Sequence, residues 1–467
     1  MDLTQPGWLT DLIGCILAGY RPEIALARLS AAVRGDGADP APARVRALRH
    51  VEEELRRSGL IYGSPKLPAR VTQGQRLDRA EALFLAVLAG EMFLALDVAR
   101  IYGVPFDRYR AEAELTLLLA AAAGREDLAE QVRKRALARP GPPRKAFDKL
   151  QEEIGEALLE RQSPVTGDTV FDLPLHNGLV FGEARVVGHL AIEWYGRGRF
   201  DPDSARRLNE TAYRERAALM QALLALSVAH HPITDRERRA IRRELRKLRL
   251  DRRAEKQVKS ALETPLSAAD LAERIRSRSI RRFVIEQVYL AAIVDGTVDD
   301  VERRFLGELR VRFGIGDDQM QAIAAQVADY FYDPTDVHDA FEVRAAGESA
   351  SEKLVDRIAR EIEENLDRVV LEARETGDLF QLLGRAARGH KLSPDERARA
   401  REQLIDLAKV VPSLAIVSAP GGMLIFAALL KVLPFSLLPS SFQRREQLPP
   451  HRRPPRVPLP ARPAARR

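Results

Sequence analysis

Cysteine occurs once in the 467 residues, at Cys15. A single thiol excludes an intramolecular disulfide and any cysteine-rich zinc cluster. Within LIGCILAG it reads as a small buried apolar residue. Alternating strand patterns are almost absent. Catalytic signatures are missing as well: no glycine-rich phosphate loop ending in Lys-Ser or Lys-Thr, no dinucleotide fingerprint, no Gly-x-Ser-x-Gly elbow and no His-Glu-x-x-His zinc pattern. The eight histidines are scattered, and His176 and His189, near apolar faces, read as structural. The N-terminus MDLTQPGW carries an acid and no basic stretch before its short apolar run, so no secretory signal is expected. The expectation is a non-enzymatic protein without a cofactor, its body facing the cytoplasm.

A charge surplus is missing where the formal net charge of +7 suggests one. Residues 443–467 hold eight Arg and one Glu, which is +7 alone, and residues 1–442 balance at 66 basic against 66 acidic. The high isoelectric point therefore belongs to the tail, and no DNA partner is expected. The tail also holds seven prolines; such a composition buries no core and is expected to be disordered.

What is present is helix. Ala, Leu, Arg and Glu are abundant, and they are strong helix formers. The expected fold class is all-α, built from several helical bundles. Residues 8–135 read as an N-terminal helical domain, with helices over 76–100 and from Arg108 to a stop at Gly124. Residues 136–178 read as a linker with a short helix: Pro and Gly cluster at 138–145, and 163–178 read as an irregular connection. Residues 179–345 form the next helical domain, opening with helices near 179–196 and 203–229. A last region, 350–442, contains an apolar stripe through Leu354, Ile358, Ile362 and Leu366, expected to pack as one helix on a bundle.

An internal repeat links 225–248 to 290–313 at an offset of 65 residues. In each copy an apolar helix ends, a short loop follows, and an N-cap with a reciprocal Glu opens the next helix: Thr234 with Glu237, Asp299 with Glu302. Ile241 and Leu248 correspond to Leu306 and Phe313, the side expected to be buried. A weaker third copy, HKLSPDERARAREQLIDL, places Ser393 as cap, Pro394 at the first helical position and Glu396 three residues on. The second copy, AAIVDGTVDDVERRFL, resembles the TerB-like tellurite-resistance domain. That resemblance implies a helical bundle with pseudo-repeated halves and a divalent-cation site, carried here by Asp295, Asp299, Asp300 and Glu302. Read from the residues alone, the same acids cap a helix and oppose its dipole. In the first copy, His230 and His231 stand where the second has Asp295 and Gly296.

Between Lys409 and Lys431 lie 21 uncharged residues, long enough to cross about 30 Å of hydrocarbon as a helix. Pro412 and the Pro420-Gly421-Gly422 break interrupt them. With the Lys-Leu-Ser-Pro helix before and Lys431, Pro434 and the LLPSSF containing Pro439 after, residues 384–443 resemble the LETM family of inner-membrane proteins. The resemblance implies membrane association and links to cation/proton exchange and to ribosome contact. Three arrangements of 410–438 remain open: a kinked single span, a re-entrant hairpin with both basic flanks cytoplasmic, and a buried hairpin in a soluble bundle. The expected protein is thus a membrane-associated helical protein with a sensing or interaction module, in cation homeostasis or envelope stress, with other proteins as partners and anionic lipid at the arginine-rich tail. The alternative is a soluble scaffold whose apolar C-terminal hairpin is core or a partner interface.

Overall fold

The computed structural model describes residues 2–25, 41–62, 77–138, 144–161, 169–230, 250–294, 300–332 and 377–387, with isolated positions such as Val71, Arg239 and Arg242 and a scatter between 355 and 432. Every regular element among the described residues is helical, and no strand occurs there. In chain order these are α1 (Trp8–Gly19), α2 (Ala43–Arg57), a 3-10 turn (Leu60–Tyr62), α3 (Arg79–Ile101), α4 (Arg108–Ala122), α5 (Glu126–Val132) running into a π turn, α6 (Arg144–Leu159), α7 (Thr169–Arg197), α8 (Pro202–His230), α9 (Arg252–Glu263), α10 (Ala268–Arg274), α11 (Arg278–Val294), α12 (Asp300–Phe313), α13 (Asp317–Tyr332) and α14 (Gly377–Ala387).

Local chemistry sets the ends. Asp78 accepts from the Glu81 amide at 2.8 Å while the Glu81 carboxylate accepts from the Asp78 amide at 3.0 Å, a capping box that opens α3. At the end of α4, Gly124 takes φ 73°, and the amides of Gly124 and Arg125 reach back to Ala121 and Ala120. This is the left-handed stop expected at Gly124.

The described residues up to 332 lie in one compact unit. One continuous core runs from Leu3 to Val327, so helices on both sides of 136–178 share it. The two 29-residue helices α7 and α8, each about 43 Å long, form its axis. α7 packs on α8 and carries α2, α3, α4 and α11; α8 carries α9, α10, α11 and α12. Phe181 of α7 stacks on Phe283 of α11 with ring centroids 3.8 Å apart. Ala80–Ile101 of α3 is long and apolar enough to cross a bilayer, yet most of it is buried inside the bundle.

Two expectations are corrected here. The stretch 163–178 is not all irregular: α7 begins at Thr169 and continues through Pro174. Burial of Leu173, His176, Asn177 and Val180 on one side holds this turn helical despite the proline. Cys15 is half-buried at the edge of the core, not inside it.

The second unit comprises 355–418 and 425–467. Ile358 and Ile362 of the expected stripe are buried, with Val355 and Ala359 beside them, while Leu354 and Leu366 lie outside the described residues. Ser393 caps its helix as expected: the Glu396 amide donates to Ser393 Oγ at 3.2 Å, and the Ser393 amide to the Glu396 carboxylate at 2.8 Å. The basic tail, 443–467, lies outside the described residues.

Candidate functional site

The most unusual chemistry in the first unit is a set of charged groups buried among α3, α7, α8 and the residues after α6. Glu91 is the one charge in the middle of α3 and is 2% exposed. Glu183 and His176 come from α7, Arg216 from α8 and Arg161 from the turn just after α6. Arg161 Nη2 lies 2.7 Å from Glu183 Oε1 and Arg216 Nη2 lies 3.6 Å from the same oxygen. Arg161 also donates to the Ala122 carbonyl at the end of α4. Two glycines of α7 allow this approach. A Cβ at Gly178 would fall 2.8 Å from Leu219 Cδ2, and one at Gly182 would fall 3.2 Å from the Ala212 Cβ and 3.5 Å from Arg216 Nε. Larger residues would hold α8 off and draw Arg216 away from Glu183.

Burial pushes the Glu91 carboxyl well above the ordinary carboxylate range; Glu183 adds to the push, and Arg161 and Arg216 oppose it. Glu183 itself faces the two guanidiniums. Burial alone drives His176 down to about 3, so its imidazole is neutral at physiological pH. A cavity of about 20 Å³ beside Arg161, His176 and Glu183 is walled by Leu83, Phe84 and Val87. That volume accommodates about one water molecule.

A second buried pair ties the N-terminal helices to α11. Arg56 of α2 grips Glu286 with Nε and Nη2 at 2.8 and 2.9 Å, and both side chains are almost fully buried. Burial works against the Arg56 cation, but Glu286 more than compensates and holds its proton more firmly than usual. Next to it, Asn177 donates to Gln287 at 2.6 Å, and Gln287 donates to the Ile61 carbonyl at 3.1 Å. A third polar centre is Glu114 of α4, which accepts from Trp194 Nε1 at 3.1 Å, Tyr195 OH at 3.0 Å and Arg110 Nε at 2.9 Å. Burial, then Glu114, push the Tyr195 phenol well above its ordinary value.

Of the acids implied as a cation site, Asp295 and Asp299 lie outside the described residues. Asp300 opens α12 and Glu302 stands in its first turn, with their side chains outside the description. Leu306 and Phe313, the expected buried side of that helix, are buried. Of the membrane-segment residues, only Lys431 is described: it is exposed and pairs with Asp356 at 2.5 Å. Pro412, Pro420, Gly421, Gly422, Pro434 and Pro439 lie outside. His189 is half-buried and bonds the Arg185 carbonyl through Nδ1 at 2.7 Å, in keeping with a structural role. The Glu91, Glu183, Arg161 and Arg216 cluster was not anticipated. Its one signal was Glu91 itself, a charge inside LFLAVLAGEMFLAL.

Residues 165–327 match the model of a family described as "Protein of unknown function (DUF533)". The match takes in α7, which supplies Glu183 and His176, and extends through α8 to α12 and most of α13. No curated protein and no solved structure matches the chain.

Proposed function

We propose that the chain is a non-enzymatic helical interaction or sensing protein, held on the cytoplasmic face of an inner membrane through residues 410–438. The observation that carries its non-enzymatic part is the arrangement of the buried titratable groups. Glu183 faces guanidiniums from α8 and from the turn after α6, Glu286 faces one from α2, and the cavity beside Glu183 has room for about one water. Charges used in this way fasten helices to one another. The repeat and the Asp-Gly loop of AAIVDGTVDDVERRFL liken the central region to TerB-like modules, which suits a sensing role. The 21 uncharged residues between Lys409 and Lys431 and the LETM-like order of residues around them support membrane attachment.

One observation favours the soluble alternative. Ala428 and Leu429 are fully buried within the second unit, and Lys431 is paired with Asp356 there. In that reading the apolar stretch is a core hairpin or a partner interface.

Carbonate and urea extraction of membranes separates the two, applied to the full chain and to a chain ending at Lys409. The membrane reading requires full-length protein in the pellet and the shortened chain in the supernatant. Full-length protein released by both treatments would overturn it in favour of the soluble scaffold.

A further inference from the structure

Residues 236–259, RERRAIRRELRKLRLDRRAEKQVK, hold twelve Arg and Lys against four Asp and Glu. Since residues 1–442 balance to zero, this is a local accumulation of cations, separate from the basic tail.

The fold shows how α9 displays its part of it. Asp251 caps the helix, accepting from the Ala254 amide at 2.6 Å. Ala254, Val258, Ala261 and Leu262 form the buried side, and α9 packs on α8. Arg252, Arg253, Lys256 and Lys259 stand on the opposite side, exposed. Arg242, also exposed, pairs with Glu263 at the far end of α9. The two acids there are already engaged, Glu255 with Lys259 at 2.5 Å and Glu263 with Arg242. Arg252, Arg253 and Lys256 have no acidic partner among the described residues.

We propose that this face of α9 docks on the headgroups of anionic phospholipid. Clustered Lys and Arg on the polar side of an amphipathic helix complement an acidic membrane surface. Because the apolar side of α9 is spent on α8, the contact is electrostatic and does not insert. Residues 236–282 contain no aromatic side chain, so the region offers no platform on which bases stack. The preference for lipid over a polynucleotide rests on the membrane-attached reading above.

The test uses the full chain with vesicles of phosphatidylcholine, with or without phosphatidylglycerol. Lysine acetylation read by mass spectrometry reports which side chains are covered. Lys256 and Lys259 are expected to be protected by phosphatidylglycerol vesicles at low salt and to regain reactivity at high salt or on pure phosphatidylcholine. Lys149 of α6, exposed elsewhere, stays reactive throughout. Each cation at an acidic surface is worth about a five-fold factor in partitioning. The combined R252Q/R253Q/K256Q/K259Q chain, its α-helical circular dichroism unchanged, is therefore expected to lose salt-sensitive binding by about a hundred-fold or more. If the chain sediments with vesicles while Lys256 and Lys259 react as fast as Lys149, the face is refuted and membrane attachment through 410–438 survives. Protection at low salt in a chain that carbonate strips from membranes supports the face and refutes insertion. Stronger protection by duplex DNA or RNA at equal phosphate makes a polynucleotide the partner and overturns the proposal.

Discussion

Breaking the Arg56–Glu286 pair is the sharpest test of how the N-terminal helices are joined to the central region. The two side chains are 3% and 1% exposed and share two hydrogen bonds across a sequence separation of 230 residues. Glu286→Leu leaves the Arg56 guanidinium buried with, among the described residues, the Glu52 carbonyl as its remaining hydrogen-bond partner at 2.8 Å. Removing one member of such a pair costs about 3–5 kcal/mol. Arg282 also contacts Glu286, but its side chain is 46% exposed and returns to water with little loss. Arg56→Met should cost a similar amount by stranding Glu286. The double variant removes both charges and fills similar volume, so its stability should lie within about 1–2 kcal/mol of the original. The assay is urea unfolding followed by circular dichroism, analysed as a double-mutant cycle with an expected coupling of at least about 3 kcal/mol. Two small, additive single losses would refute the reasoning, because they would mean that water reaches the pair.

Two further outcomes follow from the buried centre and the close-packed axis. His176 has a folded value near 3 against an ordinary 6.5, so the unfolded chain binds the extra proton between those values. Stability is then full above about 6.5 and declines as pH falls toward 3, by about 4–5 kcal/mol over that window. In His176→Leu that part of the acid decline should vanish, and identical pH profiles by chemical denaturation would rule the assignment out. A Cβ at Gly188 would stand 2.7 Å from Val51 Cγ2 and 2.9 Å from Cγ1, and a β-branched side chain has little freedom to yield. Gly188→Ala should therefore destabilise by about 1–2 kcal/mol even though alanine favours the helix; a rise in melting temperature would show that α2 moves aside.

Much of the secondary structure was legible because it is encoded locally. The helix over 76–100 appears as Arg79–Ile101, the stop at Gly124 as a left-handed turn, and the cap at Ser393 as a reciprocal pair. Each depends on residues within one or two helical turns. The start of α7 was not legible, because Pro174 and the glycines argue against a helix. Only burial against the rest of the bundle outweighs them.

The candidate site was legible only as an anomaly. Its one local mark is Glu91, a charge within an apolar helix, and nothing local shows which groups meet it. Arg161, Glu183 and Arg216 come from separate elements, and the meeting of Glu183 with Arg216 depends on how closely α7 can approach α8 at Gly178 and Gly182. By itself the sequence determined the all-α class, the balance of charge over residues 1–442, the helix ends, and the isolation of an uncharged stretch at 410–430. The tertiary structure alone decided that helices on either side of 136–178 share one core, that Arg56 meets Glu286 and that two carboxyls lie buried together. The physical reason is range. Caps and helix periodicity act over a few residues, whereas desolvation and ion pairing between helices depend on neighbours that only the packed chain supplies.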